Sequence, residues 1–152
     1  MIQRIQSLYL FIGAICIAIM AFVPFSKIII DNQAYYLFLD TIKGPSENIV
    51  GYQNLYILAL GILTGLGFLI SIFLYKNRIR QMRFNAIVFI FNCLLIVLMF
   101  WYPDHFAKSI GGNAYFKEIG ILMPLISLVM LVLANKAIKK DEIKVRSADR
   151  LR

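Results

Sequence analysis

Charge is what this 152-residue chain has least of. Asp, Glu, Lys and Arg make up 16% of it and hydrophobic residues 61%, where soluble domains carry about 25% and 45–50%. A domain of this size has too little interior to hide the excess apolar surface, so an ordinary soluble fold is excluded and the solvent is mostly lipid. Cysteine is nearly absent. Cys16 and Cys93 both fall within apolar runs, which gives no basis for a disulfide framework or a cysteine metal site. The one histidine, His105, sits beside Asp104 with nothing nucleophilic or metal-binding in company, and reads as a solvated or interfacial side chain. There is no internal repeat, no low-complexity segment and no catalytic constellation, so no enzyme activity, cofactor or metal is expected.

Charge is missing altogether from four stretches, Ile5 to Ser26, Asn48 to Tyr75, Phe84 to Pro103 and Ile119 to Asn135. A hydrocarbon core of about 30 Å needs about 20 apolar helical residues, with about 17 as the lower limit. Spans are expected near Ile5 to Phe25, Leu55 to Tyr75, Phe84 to Tyr102 and Gly120 to Asn135. The last is short enough that Lys136 must snorkel to the headgroups. The spans are helices because lipid offers no partner to backbone N–H and C=O groups, and the alternation of a barrel strand is absent. The expected fold is therefore an all-α membrane protein, a four-transmembrane-helix bundle over residues 1–135 with a tail over 136–152. Arg4 before a long apolar run resembles a signal peptide, but the run is too long and no small-x-small cleavage site ends it. Ile15 precedes Cys16 where a lipoprotein signal has a small residue, so the first run reads as an uncleaved span.

The basic residues set an orientation. Arg4, then Lys76, Arg78, Arg80 and Arg83, then Lys136, Lys139, Lys140, Lys144, Arg146, Arg150 and Arg152 fall on one side. Only Lys27, Lys43, Lys108 and Lys117 remain for the other, offset there by Asp31, Asp40, Glu47, Asp104 and Glu118. By the positive-inside rule both termini are cytoplasmic. The net charge of +8 is accounted for by this asymmetry, and no direct nucleic-acid partner is expected.

The first connection reads as strand. Lys27 to Ile30 and Ala34 to Leu39 are β-branched or aromatic runs parted by Asp31, Asn32 and Gln33, the pattern of a β-hairpin on the extracytoplasmic side. Gly44, Pro45 and Ser46 punctuate the return to the membrane. A lone hairpin is only marginally stable in water, so it needs the bilayer, a partner protein, or a third strand. Ala114 to Lys117, after the Gly111-Gly112-Asn113 turn, is the candidate strand.

No Asp, Glu, Lys, Arg or His falls within an expected span, which argues against the usual proton relays and ion-coupled transport. Thr64, Ser71, Asn92 and Ser127 are polar, and Asn92, near the middle of its span, is the costliest to leave unpaired. It is expected to act as interhelical glue worth about 1 kcal/mol. Gly61 with Gly65 and Ala14 with Ala18 form small-xxx-small faces that suit a close approach of the first two helices or of a partner's helix. Pro124 sits one turn into the fourth span, where it kinks the helix or begins its regular part. Tyr9, Tyr52, Tyr56, Tyr75, Trp101 and Tyr102 near span ends read as an aromatic belt.

The tail carries seven basic and three acidic residues. The fourth helix is expected to continue to about Ile143, with Glu142 and Arg146 at i,i+4 and Ile138 on the apolar side. A clamp on anionic lipid headgroups uses the positive charge. A protein dock also uses Asp141, Glu142 and Asp149, together with the guanidinium forks of Arg146, Arg150 and Arg152. Lys140 serves either reading, and both stand.

The ends carry a resemblance. Met1 to Leu10, Leu133-Ala-Asn135, Lys140-Asp-Glu142 and the run Val145 to Arg152 resemble a family of small bacterial four-span inner-membrane proteins catalogued as a domain of unknown function. The resemblance implies four helices and no site residues. The expected role is a non-enzymatic accessory or assembly subunit of a larger inner-membrane complex, respiratory or protein-translocating, docked through tail and hairpin. Membrane lipids and other membrane-protein subunits are the expected partners. The alternative is a small homo-oligomeric transporter or channel for an uncharged solute, lined by Asn92 and Ser127.

Overall fold

A computed structural model describes residues 3–30, 32–45 and 54–150. Asp31, Ser46, Tyr52 and Arg152 lie outside the described residues, as do the side chains of Arg4, Arg146, Asp149 and Arg150. The chain is mostly helical, with a small antiparallel sheet. Four helices, α1 (Gln3–Met20), α2 (Leu55–Phe73), α3 (Arg78–Ser109) and α4 (Leu122–Arg150), pack in a ring in which α1 touches α2 and α4, and α3 touches α2 and α4. Three apolar helical segments, Leu55–Lys76, Arg78–Ser109 and Ile119–Val145, are long enough to cross a membrane, and the apolar part of α1, Ile5–Met20, is shorter.

The helices do not follow the charge-free stretches. The first span was expected to reach Phe25, but α1 ends at Met20 because Pro24 cannot continue it and Ser26 already pairs in the sheet. Helix α3 begins six residues before Phe84, at a cap where the Asn77 side chain accepts a hydrogen bond from Arg80 N at 3.2 Å. It runs through Pro103, past the expected end at Tyr102, and stops at Ser109. There Gly111 takes φ 70 and Gly112 N donates to Ala107 O at 2.8 Å, the Schellman closure that a glycine permits. Pro124 lies in the first turn of α4, a position that does not need its missing N–H.

The strands β1 (Ser26–Ile30), β2 (Gln33–Leu37), β3 (Ile42–Lys43) and β4 (Asn113–Tyr115) form one sheet in the order β3-β2-β1-β4. Ile30 pairs with Gln33, and between the two strands Asn32 adopts φ 61, a conformation that asparagine tolerates. The third-connection strand pairs with β1, Lys27 opposite Tyr115, and supplies what an isolated hairpin lacks.

One face of the sheet completes the core. Ile28, Tyr35, Leu37 and Ile42 are buried with Phe25 and Leu39 in the cluster that continues through Met20, Ile57, Phe68, Leu95, Met99 and Leu131. Backbone ties fix the sheet to the helix ends. Asn54, at the entrance to α2, donates from its backbone to Asp40 O and from its side chain to Phe38 O, both at 3.0 Å. Gly120 N donates to Pro24 O at 3.1 Å, joining the exit of α1 to the entrance of α4. A Cβ at Gly120 would fall 2.5 Å from that same oxygen, so the contact requires glycine.

Candidate functional site

Polar groups inside the ring of helices bond to one another. Asn92 Nδ2 on α3 donates to Ser127 Oγ at 2.8 Å and to Pro124 O at 3.2 Å on α4, and Ser127 Oγ also donates to Pro124 O. A second chain links three helices: Ser71 Oγ of α2 donates to Asn85 Oδ1 of α3, whose Nδ2 donates to Asn135 Oδ1 of α4 at 2.7 Å. Gln81 Nε2 adds a bond to Ser71 O at 2.9 Å. Such bonds are worth about 0.6 kcal/mol each on average in a membrane, but they fix which residues of neighbouring helices meet. Asn92 thus bonds from α3 to α4. Asn85 and Gln81 were missed, because nothing local in the sequence marks partners 50 and 10 residues away on other helices.

The small residues expected to bring α1 and α2 together sit on the facing surfaces of those two helices, which are in contact. Ala14, Ala18, Gly61 and Gly65 line an apolar groove of about 390 Å³ between the helices. Leu39 also lines the groove, and its side chain would come within 3.0 Å of a Cβ at Gly61. The tight approaches are elsewhere. A Cβ at Gly13 would meet the Phe68 ring at 2.4 Å, and one at Gly67 would meet Val88 Cγ2 at 2.7 Å.

At the end of the bundle opposite the sheet, α4 continues unbroken to Arg150 and its charges are sorted by face. Arg78, in the first turn of α3, reaches Asp141 Oδ2 at 2.9 Å and Glu142 Oε2 at 3.9 Å. Both acids, assigned to docking on the sequence, are thus engaged within the chain. Their presence in a basic tail no longer requires a partner's arginine. Ile138 beside them is fully buried. Lys136, Lys140 and Lys144 turn toward α1.

The outer face of the sheet has an order of its own. The pairings Tyr115 to Lys27, Lys27 to Tyr36 and Tyr36 to Lys43 set one alternating row of rings and ammonium groups across all four strands. Lys27 Nζ lies 5.6 Å from the Tyr36 ring centroid, and Lys43 Nζ lies 4.4 Å from that of Phe38. Near the sheet, His105 stacks on Trp101 at 5.1 Å, and Asp104 pairs with Lys108 at 2.6 Å. Among the described residues, no three His, Cys, Asp or Glu side chains come together as metal ligands do.

A family model described as Domain of unknown function (DUF4293) matches residues 2–151. The chain belongs to that family. No curated protein and no solved structure matches it.

Proposed function

We propose that this DUF4293 member is a non-enzymatic accessory or assembly subunit of a larger complex in a bacterial inner membrane. Four helices cross the bilayer, both termini are cytoplasmic, and the sheet stands outside. A respiratory or protein-translocating assembly fits. One observation supports the docking role above all, the row of Tyr115, Lys27, Tyr36 and Lys43 in register across the sheet. The bundle beneath holds that face in place, so its tyrosines meet a partner with little loss of side-chain freedom, and aromatic residues on rigid surfaces supply much of interface energy. The two lysines select a partner with carboxylates opposite them. The basic residues of the tail provide the second contact, on the cytoplasmic side.

The test is purification in mild detergent from cells of the source organism with quantitative mass spectrometry. The wild-type chain should bring down a defined heteromeric complex. Lys27→Glu with Lys43→Glu should lower partner recovery about tenfold or more, since reversing two interfacial charges costs several kcal/mol, with membrane insertion unchanged. A pure homo-oligomer, or full recovery with the reversed charges, would refute the proposal. One observation favours the second reading, a channel for an uncharged solute: the buried acceptors Gln81 Oε1 and Asn92 Oδ1 receive no hydrogen bond from a described residue. Solute flux in proteoliposomes that Asn92→Leu abolishes would support that reading instead.

A further inference from the structure

Three lysines of α4 line one groove, and the first of them, Lys136, also borders a groove on the α3 side. Lys136, Lys140 and Lys144 recur every fourth residue and share one face. All three line a groove of about 380 Å³ between α1 and α4 whose floor includes Ile5, Tyr9 and Leu133. The three ammonium groups are exposed, and none forms an ion pair with a described residue. The nearest acids in sequence, Asp141 and Glu142, are held by Arg78 on the other side of the helix.

The groove is amphipathic along its length. From Leu133 to Lys144 the helix rises about 16 Å, with hydrocarbon at one end and three positive charges toward the other. A free anion makes no use of the apolar floor. A peptide laid there would leave backbone groups unpaired against Ile5 and Leu133, which is unfavourable. An acyl chain with an anionic head matches both halves, because basic pockets between helices near the membrane surface suit phospholipid phosphates.

We infer that the α1/α4 groove binds one anionic diacyl phospholipid, with its phosphate between Lys140 and Lys144, Lys136 near the glycerol level, and a chain along Ile5, Tyr9 and Leu133. The site rests on membrane insertion alone, so it survives if the docking role fails, and the docking role survives if the site does not.

Native mass spectrometry of the full chain in detergent, with equal amounts of dioleoyl phosphatidylglycerol and dioleoyl phosphatidylcholine, tests it. The wild type should retain phosphatidylglycerol. Lys140→Gln with Lys144→Gln should weaken that retention about 30-fold, about fivefold per lysine, and leave phosphatidylcholine unchanged. Lys108→Gln with Lys117→Gln removes the same net charge far from the groove and should leave the preference intact. If the double variant melts early in lipid-free detergent, each single glutamine variant carries the test at about fivefold. An unchanged preference in the groove variants, or an equal fall in the remote pair, would overturn the inference. Displacement of the lipid by inorganic phosphate would overturn it too and make the site one for a free anion. Loss of partner recovery in the groove variants without any lipid preference would make the groove a protein dock.

Discussion

Gly65 and Gly67 are two residues apart on α2 and meet different neighbours, which allows a controlled comparison. A Cβ at Gly65 would lie 3.5 Å from Ile17 Cγ2, an ordinary contact, whereas one at Gly67 would lie 2.7 Å from Val88 Cγ2. Val88 is 1% exposed and β-branched, so its methyl cannot swing aside. Alanine gains about 1 kcal/mol of helix propensity over glycine at either position. At Gly65 nothing offsets that gain, and Gly65→Ala should be neutral to slightly stabilising. At Gly67 the overlap should cost about 1–3 kcal/mol, as overpacking of a filled interior does. The difference between the two variants, about 1–3 kcal/mol, is the quantity to measure, because propensity and detergent effects are common to both. Trimming the obstacle tests the cause: in a double-mutant cycle of Gly67→Ala with Val88→Ala, a favourable coupling of at least about 1 kcal/mol is expected. Reversible unfolding in mixed micelles, followed by circular dichroism, reads both numbers. If Gly65→Ala proves as destabilising as Gly67→Ala, or if the cycle is additive, the α2–α3 contact has been placed wrongly.

Arg78→Ala should leave the Asp141 side chain, 10% exposed, without its countercharge. Removing one partner of a fully buried pair costs about 3–5 kcal/mol, so about 1–2 kcal/mol is expected for this partly solvated one; the helix should loosen there and tryptic cleavage after Lys139, Lys140 and Lys144 should accelerate. Asp141→Asn in the same background should restore protection, and cleavage rates identical to the wild type would show that the ion pair does not hold the tail. For orientation, cysteine at position 32 should react with a membrane-impermeant thiol reagent in intact spheroplasts, and cysteine at position 78 should not, in a background lacking Cys16 and Cys93. The reverse pattern would overturn the charge argument.

What could be read from the sequence was whatever depends on neighbours in the chain. The apolar runs marked the helices, and the turn residues Asp31-Asn32-Gln33 and Gly111-Gly112-Asn113 marked two breaks, although Gln33 and Asn113 already belong to β2 and β4. A third strand was legible too, because a lone hairpin is unstable and only one segment of the third connection had strand character. Helix ends were not legible from charge, since a helix need not stop where the charges begin: α3 starts among Arg78, Arg80 and Arg83, and only its cap at Asn77 shows where. Long-range pairing was invisible. Asp141 looked like a residue waiting for a partner because its partner, Arg78, is 63 residues away, and Asn85 looked unremarkable for want of Asn135. The Gly61 and Gly65 pattern was read from spacing alone, and spacing does not reveal that Leu39 packs beside Gly61.

The arrangement of these ties follows from the solvent. Between helices in a bilayer, lipid tails are as apolar as leucine, so burying an apolar face against another helix gains far less than it does in water. Exposed residues such as Ile62, Ile90, Val97 and Val129 therefore need no cover and say nothing about which helix belongs beside which. The partners of each helix must be chosen by contacts that lipid cannot imitate. Three kinds are present. Glycine admits a neighbouring side chain at Gly13 and Gly67, amide and hydroxyl groups pair across helices at Asn92 and Asn85, and the ends are joined outright, by a sheet and the Gly120 to Pro24 bond at one end and by Arg78 with Asp141 at the other. The end ties are made of strands and charges, which a hydrocarbon core does not readily accept. On this reasoning, replacing apolar residues on the outer faces with other apolar residues should leave the ring of helices intact, whereas removing a single tie at either end should change which residues meet.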